Sequence, residues 1–239
     1  MAADQYTDIN ALDTVLKQVL NHREITEEES RRLCGMLPLG CRILDAPADE
    51  TFIRCGFPVD KIWLLLRGHA TVQCYGPQGT SIIQDSFCAP QLFGVIELVE
   101  HQCVFSASVV TAAPSQLLEI PALLFNRAMN EDLRVARIVI DDLASLARRN
   151  MDTIEAHGLL CPRDTLALYL YQCCQQSALP YTCCITRQTV AALLRINQRS
   201  LYRYLNQLCA MGLCSSLNRK TVITEEQFAR LRTYCETLN

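Results

Sequence analysis

The stretch that decides the reading of this chain is Ile185-Thr-Arg-Gln-Thr-Val-Ala-Ala-Leu-Leu-Arg-Ile-Asn-Gln-Arg-Ser-Leu-Tyr-Arg-Tyr-Leu-Asn-Gln-Leu208. It predicts two helices, one from Thr186 to Leu194 and one from Gln198 to Met211. Thr186 and Asn197 are side chains that accept from the free N–H groups at a helix start, so each caps one helix. Val190, Leu193 and Leu194 fall on the inner face of the first helix, and Leu201, Leu205 and Leu208 on that of the second. Ala191 is small where two helices must cross closely. Gly212 ends the second helix. Cys214 to Thr224 then reads as a short hairpin with polar Asn218, Arg219 and Lys220 at its tip. Two capped helices followed by a hairpin make a winged helix-turn-helix.

Charge supports a nucleic-acid role for this stretch. The net charge of −3 averages two unlike parts. Residues 1–159 hold 13 basic and 21 acidic residues, and residues 160–239 hold 9 basic and 4 acidic. From Thr165 to Thr224 there is no Asp or Glu. A short helix-turn-helix match is a weak signal alone, and the bland alternative is a helical hairpin with a solvated basic face. The wing and the acid-free basic module together favour a surface for a polyanion. The start of the second helix offers Gln198, Arg199, Ser200, Tyr202 and Arg203, donors suited to base edges and phosphates.

Working outward, residues 8–36 read as helical, with Leu12, Val15, Leu16, Val19 and Leu20 at helix spacing and a capping box from Thr26 to Glu29. From Leu37 to about Ile120, short apolar runs alternate with Gly and Pro turns, the texture of a β-sandwich, roll or barrel. A helical stretch from about Pro121 to His157 carries two interleaved seven-residue series. One is Leu133, Ile140, Ala147, Ile154; the other is Ala136, Leu143, Asn150, His157. Their three-four spacing is the a/d seam of a two-stranded coiled coil, so a homodimer is expected, with Asn150 suited to setting register. Val135, Val139 and Leu146 lie off the seam and are expected to face the β domain. Gly158 breaks the pattern. The expected domains are therefore a helical arm at 1–36, a β domain at 37–120, a dimerisation helix at 121–158 and the winged module at 159–239.

Fourteen cysteines in 239 residues need a separate reading. The N-terminal sequence has no basic segment leading into an apolar one, and no apolar run approaches a membrane span, so a cytoplasmic protein with reduced thiols is expected. No C-x-x-C spacing occurs and no metal site is expected. Most of the cysteines are read as small buried apolar residues.

The order of these parts resembles the CRP/FNR (cAMP receptor protein / fumarate-and-nitrate-reduction regulator) superfamily of bacterial transcription factors. The residues that carry the likeness are Ile185-Thr-Arg-Gln188 with Ser200-Leu-Tyr-Arg203, Trp63-Leu-Leu-Leu-Arg-Gly68, and Phe93-Gly94. The resemblance spans roughly residues 37–224. It implies an α+β fold: an N-terminal double-stranded β-helix (jelly-roll, cyclic-nucleotide-binding-like), a long dimerisation helix and a C-terminal winged helix-turn-helix. It also implies a homodimer on a near-palindromic DNA site, with RNA polymerase as a candidate partner. Arg187 would be a phosphate clamp, and Gln198, Arg199 and Arg203 base readers or near-base contacts. The family's recognition helix commonly carries Glu where Arg199 stands. Arg donates where Glu accepts, so guanine becomes its best partner and an altered operator is expected. The family's turn glycine is replaced by Arg195, which implies either a mildly unfavourable backbone there or an adjusted turn.

The sensor departs further. Cyclic-nucleotide members use Gly-Glu on the ribose and Arg-Ser/Thr-Ala on the cyclic phosphate. This chain has Gly94-Val95 and Phe105-Ser106-Ala107. No Lys or Arg occurs between Gly68 and Asn126, so a phosphate there would have no cation to pair with. Glu97 only adds a like charge. Cyclic AMP or GMP in the standard pose is thus not expected. Val95 and Phe105 either fill the pocket or line one for an uncharged ligand. Cys34 and Cys41 do not match the N-terminal group that holds an iron–sulfur cluster, which is also not expected. Haem on His69, Cys74, His101 or Cys103 and thiol sensing stay open. An enzyme is the rival class, and no nucleophile–base, phosphate-loop or paired-carboxylate motif supports it. A ligandless module acting on a protein partner is the other.

Overall fold

A computed structural model of the chain describes residues 2–20, 25–75, 81–175, 177–183, 185–218 and 220–238. It divides into two compact units, Met1–Leu146 and Ala147–Asn239.

The first unit opens with α1 (Ala2–Leu20) and α2 (Glu27–Cys34). The expected capping box starts α2: Thr26 accepts from Glu29 N, and the Glu29 carboxylate accepts from Thr26 N at 2.8 Å. Eight strands follow: β1 (Arg42–Ala46), β2 (Thr51–Ile53), β3 (Lys61–Arg67), β4 (His69–Tyr75), β5 (Ser81–Cys88), β6 (Gln91–Phe93), then, after α3 (Val95–Val99), β7 (Ser108–Thr111) and β8 (Ser115–Pro121). They form two four-stranded antiparallel sheets, β1-β8-β3-β6 and β2-β7-β4-β5. This is the expected α+β roll.

Strand β3 shows why the roll holds. Alternate residues of a strand point to opposite faces, and here both faces are buried. Trp63 and Leu65 join Ile53, Ala70, Phe87, Phe93, Val109 and Leu117 between the two sheets. Phe52 packs edge-on against Trp63 and Phe93, with ring centroids 5.6 Å apart in each pair. Ile62, Leu64 and Leu66 instead meet Leu12, Leu16 and Val19 of α1 and Leu33 of α2 on the outer face. The N-terminal helices therefore share one core with the roll. The turn after β3 needs Gly68: its φ is +96°, and a Cβ there would sit 2.8 Å from Ser115 Cα.

The helical stretch after the roll is interrupted. α4 (Ala122–Glu131) ends at Asp132, whose backbone is extended, and α5 (Leu133–Leu159) starts afresh. The Asp132 carboxylate accepts from Arg134 N at 2.8 Å, so it satisfies a free N–H of the new helix. Gly158 does not stop α5, whose backbone runs to Leu159. Val135 and Val139 are buried against the outer core and Leu146 packs on the inner one, as their off-seam positions predict.

The second unit continues with α6 (Pro162–Gln175), β9 (Tyr181–Thr182), α7 (Arg187–Leu193), α8 (Gln198–Ala210), β10 (Ser215–Leu217), β11 (Lys220–Ile223) and α9 (Glu225–Glu236). Strand β9 adds to the hairpin in the order β10-β11-β9, a pairing too short to show in the sequence pattern. Tyr171 on α6 stacks on Phe228 of α9 at 5.5 Å. Asp164 accepts from Arg163 Nε at 2.9 Å, Tyr234 OH at 2.6 Å and Cys161 Sγ at 3.1 Å. Partial burial raises the pKa of its carboxyl, and these hydrogen bonds outweigh that and bring it below the usual value.

His69 is buried in the roll, where a ring nitrogen meets Ser86 Oγ and Nδ1 lies 3.3 Å from Cys88 Sγ. Burial lowers its pKa to about 4, so the folded chain keeps it neutral while the unfolded chain protonates near 6.5. Stability present above pH 6.5 is therefore lost as pH falls towards 4. Urea unfolding at pH 5 against pH 7.5 should show a loss of about 2 kcal/mol from this group. A His69→Asn variant should show a correspondingly smaller acid loss; an equal loss would place the acid sensitivity elsewhere.

Candidate DNA-reading surface and the roll pocket

In the winged module both expected caps form. Thr186 Oγ1 accepts from Thr189 N at 3.1 Å, and Asn197 Oδ1 accepts from Ser200 N at 2.8 Å. Val190, Ala191, Leu194, Leu201, Leu205 and Leu208 are buried, and Leu193 is half-buried. Gln198, Arg199, Tyr202 and Arg203 are exposed on the first turns of α8, and Ser200 is half-buried. The turn residue Arg195 has φ +53°, the left-handed conformation that the missing glycine implies.

Two of the arginines are already engaged within this unit. The Arg187 guanidinium lies 4.8 Å from the centroid of the Tyr202 ring and donates from Nη2 to Ser216 Oγ on β10 at 2.8 Å. Its Nε is buried without a hydrogen-bond partner. Arg187 thus joins the start of α7, the exposed face of α8 and the wing, beside a cavity of about 280 Å³ lined chiefly by Leu166, Leu170, Val190, Leu201 and Leu205. Sequence reasoning saw a phosphate clamp and missed this bridging role, because Tyr202 and Ser216 are distant in sequence. Arg203 stacks 4.9 Å from the Tyr204 ring centroid and donates to its hydroxyl at 3.0 Å. At the wing tip Asn218 has φ +48° and is exposed, as is Lys220 at the start of β11. Arg219 lies outside the described residues.

On α5 the seam series is largely uncovered. Leu133 is 89% and Ile140 59% exposed, Ala147 and Asn150 are exposed, and Ala136 and Leu143 are half-buried. Leu143 also packs against the outer core of its own unit. The side chains of Ile154 and His157 lie outside the described residues.

The roll pocket is built around Gly94, whose φ of +87° places the start of α3. A Cβ at Gly94 would meet Phe105 Cε1 at 3.0 Å, so the Phe105 ring lies against the glycine itself. Val95 and Phe105 are 3% and 5% exposed, and they belong to the outer and inner cores of the roll respectively. Both side chains are thus part of the packed interior of the roll. Ser106 is exposed, and its N and Oγ both donate to Glu97 Oε1, at 3.2 and 2.6 Å. Those are the donors that the resemblance assigns to a cyclic phosphate. Glu97, which the sequence showed only as a like charge, is therefore an internal acceptor for them.

Among the candidate haem ligands, His69 is committed to Ser86 and Cys88, and the Cys74 thiol donates to Gln84 at 2.9 Å. His101 and Cys103 are exposed. No group of three or more His, Cys, Asp and Glu side chains that could hold a metal occurs among the described residues. The cysteines depart from the expectation of general burial. All six in the first unit are exposed or half-buried; in the second unit Cys173, Cys174, Cys183, Cys214 and Cys235 are buried. The inner core of the roll is instead filled by aromatic and branched residues such as Leu65, Phe87, Phe93 and Val109.

Residues 44–132 match the family model of the cyclic nucleotide-binding domain. No curated protein matches the sequence. Among solved structures, FixK2 from Bradyrhizobium japonicum is similar at a TM-score of 0.70 and 18% identity, over 82% of this chain and 98% of that one. A CRP/FNR-family transcriptional regulator from Thermus thermophilus is similar at 0.64 and 14%, over 83% and 100%. CLP from Xanthomonas campestris, described as a c-di-GMP-responsive global regulator, is similar at 0.61 and 15%, over 77% and 94%. At such identities the likeness is one of fold. Among the described residues no helix is long and apolar enough to cross a membrane.

Replacing Arg195 by Gly removes a side chain from a left-handed backbone. The variant should unfold at higher urea, with a gain of about 1 kcal/mol. An unchanged or lower midpoint would mean that the Arg195 side chain contributes more than its backbone costs.

Proposed function

We propose that this chain, which has a cyclic nucleotide-binding-like domain and the fold shared with CRP/FNR-type transcriptional regulators, is a dimeric, sequence-specific DNA-binding regulator and not an enzyme. The observation that carries this reading is the N-terminal face of α8. It presents Gln198, Arg199, Tyr202 and Arg203 to solvent within a segment that has no carboxylate from Thr165 to Thr224. Arg and Gln donors at the start of such a helix suit the acceptors of the major groove, with guanine O6 and N7 the best partner for Arg199. The wing, with Asn218, Arg219 and Lys220, supplies contacts to the flanking backbone. Arg187 acts here by holding Tyr202 and the wing in place as well as by its charge.

Two copies pair along Leu133, Ala136, Ile140, Leu143, Ala147, Asn150 and Ile154. The exposure of Leu133 and Ile140 supports this, since large apolar side chains on a long helix favour a partner. Pairing would set two recognition helices about 34–36 Å apart, one DNA turn, on a near-palindromic site.

The roll does not hold cyclic AMP or GMP in the family's pose. Phe105 occupies the space against Gly94, Glu97 accepts from the Ser106 donors, and no Lys or Arg stands between Gly68 and Asn126. A cyclic phosphate would have to displace an anion and then lie unpaired in an apolar setting.

An Arg199→Ala, Arg203→Ala double variant should lose specific DNA binding at least tenfold by fluorescence anisotropy, since each bidentate Arg contributes about 1–3 kcal/mol of discrimination. Both side chains are exposed, so circular dichroism should be unchanged. Retained specific binding would remove α8 from the reading surface. Calorimetric titration with cyclic AMP and cyclic GMP should give no saturable heat; micromolar binding of either would overturn the account of the roll.

A further inference from the structure

The recognition helix ends in a turn that brings two thiols together. Leu213 N donates to Leu208 O at 3.0 Å and Gly212 N to Cys209 O at 2.9 Å, with Gly212 at φ +71°. This is the Schellman pattern, and Leu208 and Leu213 are buried beside each other's turn as it requires. The reversal places Cys214, the residue before the wing strand β10, with its Sγ 3.4 Å from Cys209 Sγ near the end of α8.

We propose that Cys209 and Cys214 are a thiol–disulfide modification site, oxidised by a hydroperoxide, that couples the redox state to DNA reading. Three observations carry it. The sulfurs are already in contact, and bond formation needs an approach of only a little over 1 Å. Their exposures differ in the way that a reacting and a resolving thiol require: Cys209 is half-buried and reachable, while Cys214 is 2% exposed. And the residues joined are the last turn of α8 and the start of the wing. Burial, with Cys209 next to it, pushes the Cys214 pKa up, which keeps that group a thiol in the reduced pair.

The chemistry balances. The Cys209 sulfur attacks the terminal peroxide oxygen, the O–O bond breaks, and the leaving oxygen departs as water or an alcohol with the Cys209 proton. Cys209 is then a sulfenic acid. The Cys214 sulfur attacks it, the S–O bond breaks, and hydroxide leaves with the Cys214 proton as water. Two thiols lose two electrons and the hydroperoxide gains them. Thiol reductants reverse the step. The coupling to DNA rests on the proposed function; the disulfide itself does not. Drawing the end of α8 towards β10 changes the angle between two elements that both face the duplex, so the oxidised form binds more weakly.

The test uses the full chain, reduced, freed of reductant and treated with hydrogen peroxide. Cleavage after Arg203 and Arg219 gives one peptide, Tyr204–Arg219, in which Cys209 and Cys214 are the only cysteines. Its mass should fall by about 2 Da and return with reductant. In Cys214→Ala, the same peptide should instead gain about 16 or 32 Da at Cys209, as a sulfenic acid left unresolved oxidises further. Stepwise oxygen addition at Cys209 in the unaltered chain, no change at all, or linkage of Cys209 to another cysteine would overturn the site. Specific DNA affinity, measured on the same samples, should drop severalfold on oxidation and recover on reduction, with no drop in Cys209→Ser. A disulfide that forms without this drop would overturn the coupling. Absence of DNA binding in the reduced chain would overturn the function and leave the mass result standing.

Discussion

The first unit depends on one strand being buried on both faces. Because Lys61–Arg67 sends Trp63 and Leu65 between the sheets and Ile62, Leu64 and Leu66 against the helices, a single element joins the roll to α1, α2, α4 and the first half of α5. A strand in that position admits no unpaired charge along its length, and its charged ends are tied off. Lys61 shares the Glu119 carboxylate with Arg42, at 3.1 and 3.0 Å. Burial raises the Glu119 pKa, but the two cations outweigh it and hold it below its usual value.

The same packing governs the pocket. Phe105 enters the inner core with Trp63 and Phe93 and rests on Gly94, so the position to which the resemblance assigns a cation lies in the hydrophobic interior. Glu97 then takes the Ser106 donors that would otherwise be left to solvent. Burial of Val95 and Phe105 contributes to stability by about 25 cal/mol per Å² of apolar surface.

Much of this was legible in the sequence where the cause is local. Thr26, Thr186 and Asn197 cap the helices because their side chains bond to N–H groups three residues on. The missing glycine at Arg195 left either mild strain or an adjusted turn, and the positive φ there is the former. The division of α5 into exposed Leu133 and Ile140 and buried Val135 and Val139 follows from helical spacing. What was not legible depends on how turns bring separated side chains together. The Arg187 bridge to Tyr202 and Ser216, the Glu97–Ser106 pair and the Cys209–Cys214 contact each need a turn geometry that residue type alone does not specify. The break at Asp132 was hidden because Asp is tolerated within helices as well as before them.

The most direct measurement of the central claim is selection of binding sites from a random double-stranded DNA pool by the reduced, full chain, followed by sequencing. The account predicts enrichment of a near-palindrome whose half-sites are centred about one helical turn apart, 10–10.5 base pairs. Recovery of no enriched sequence, or of a single unpaired half-site, would contradict a dimer that reads DNA through two α8 helices.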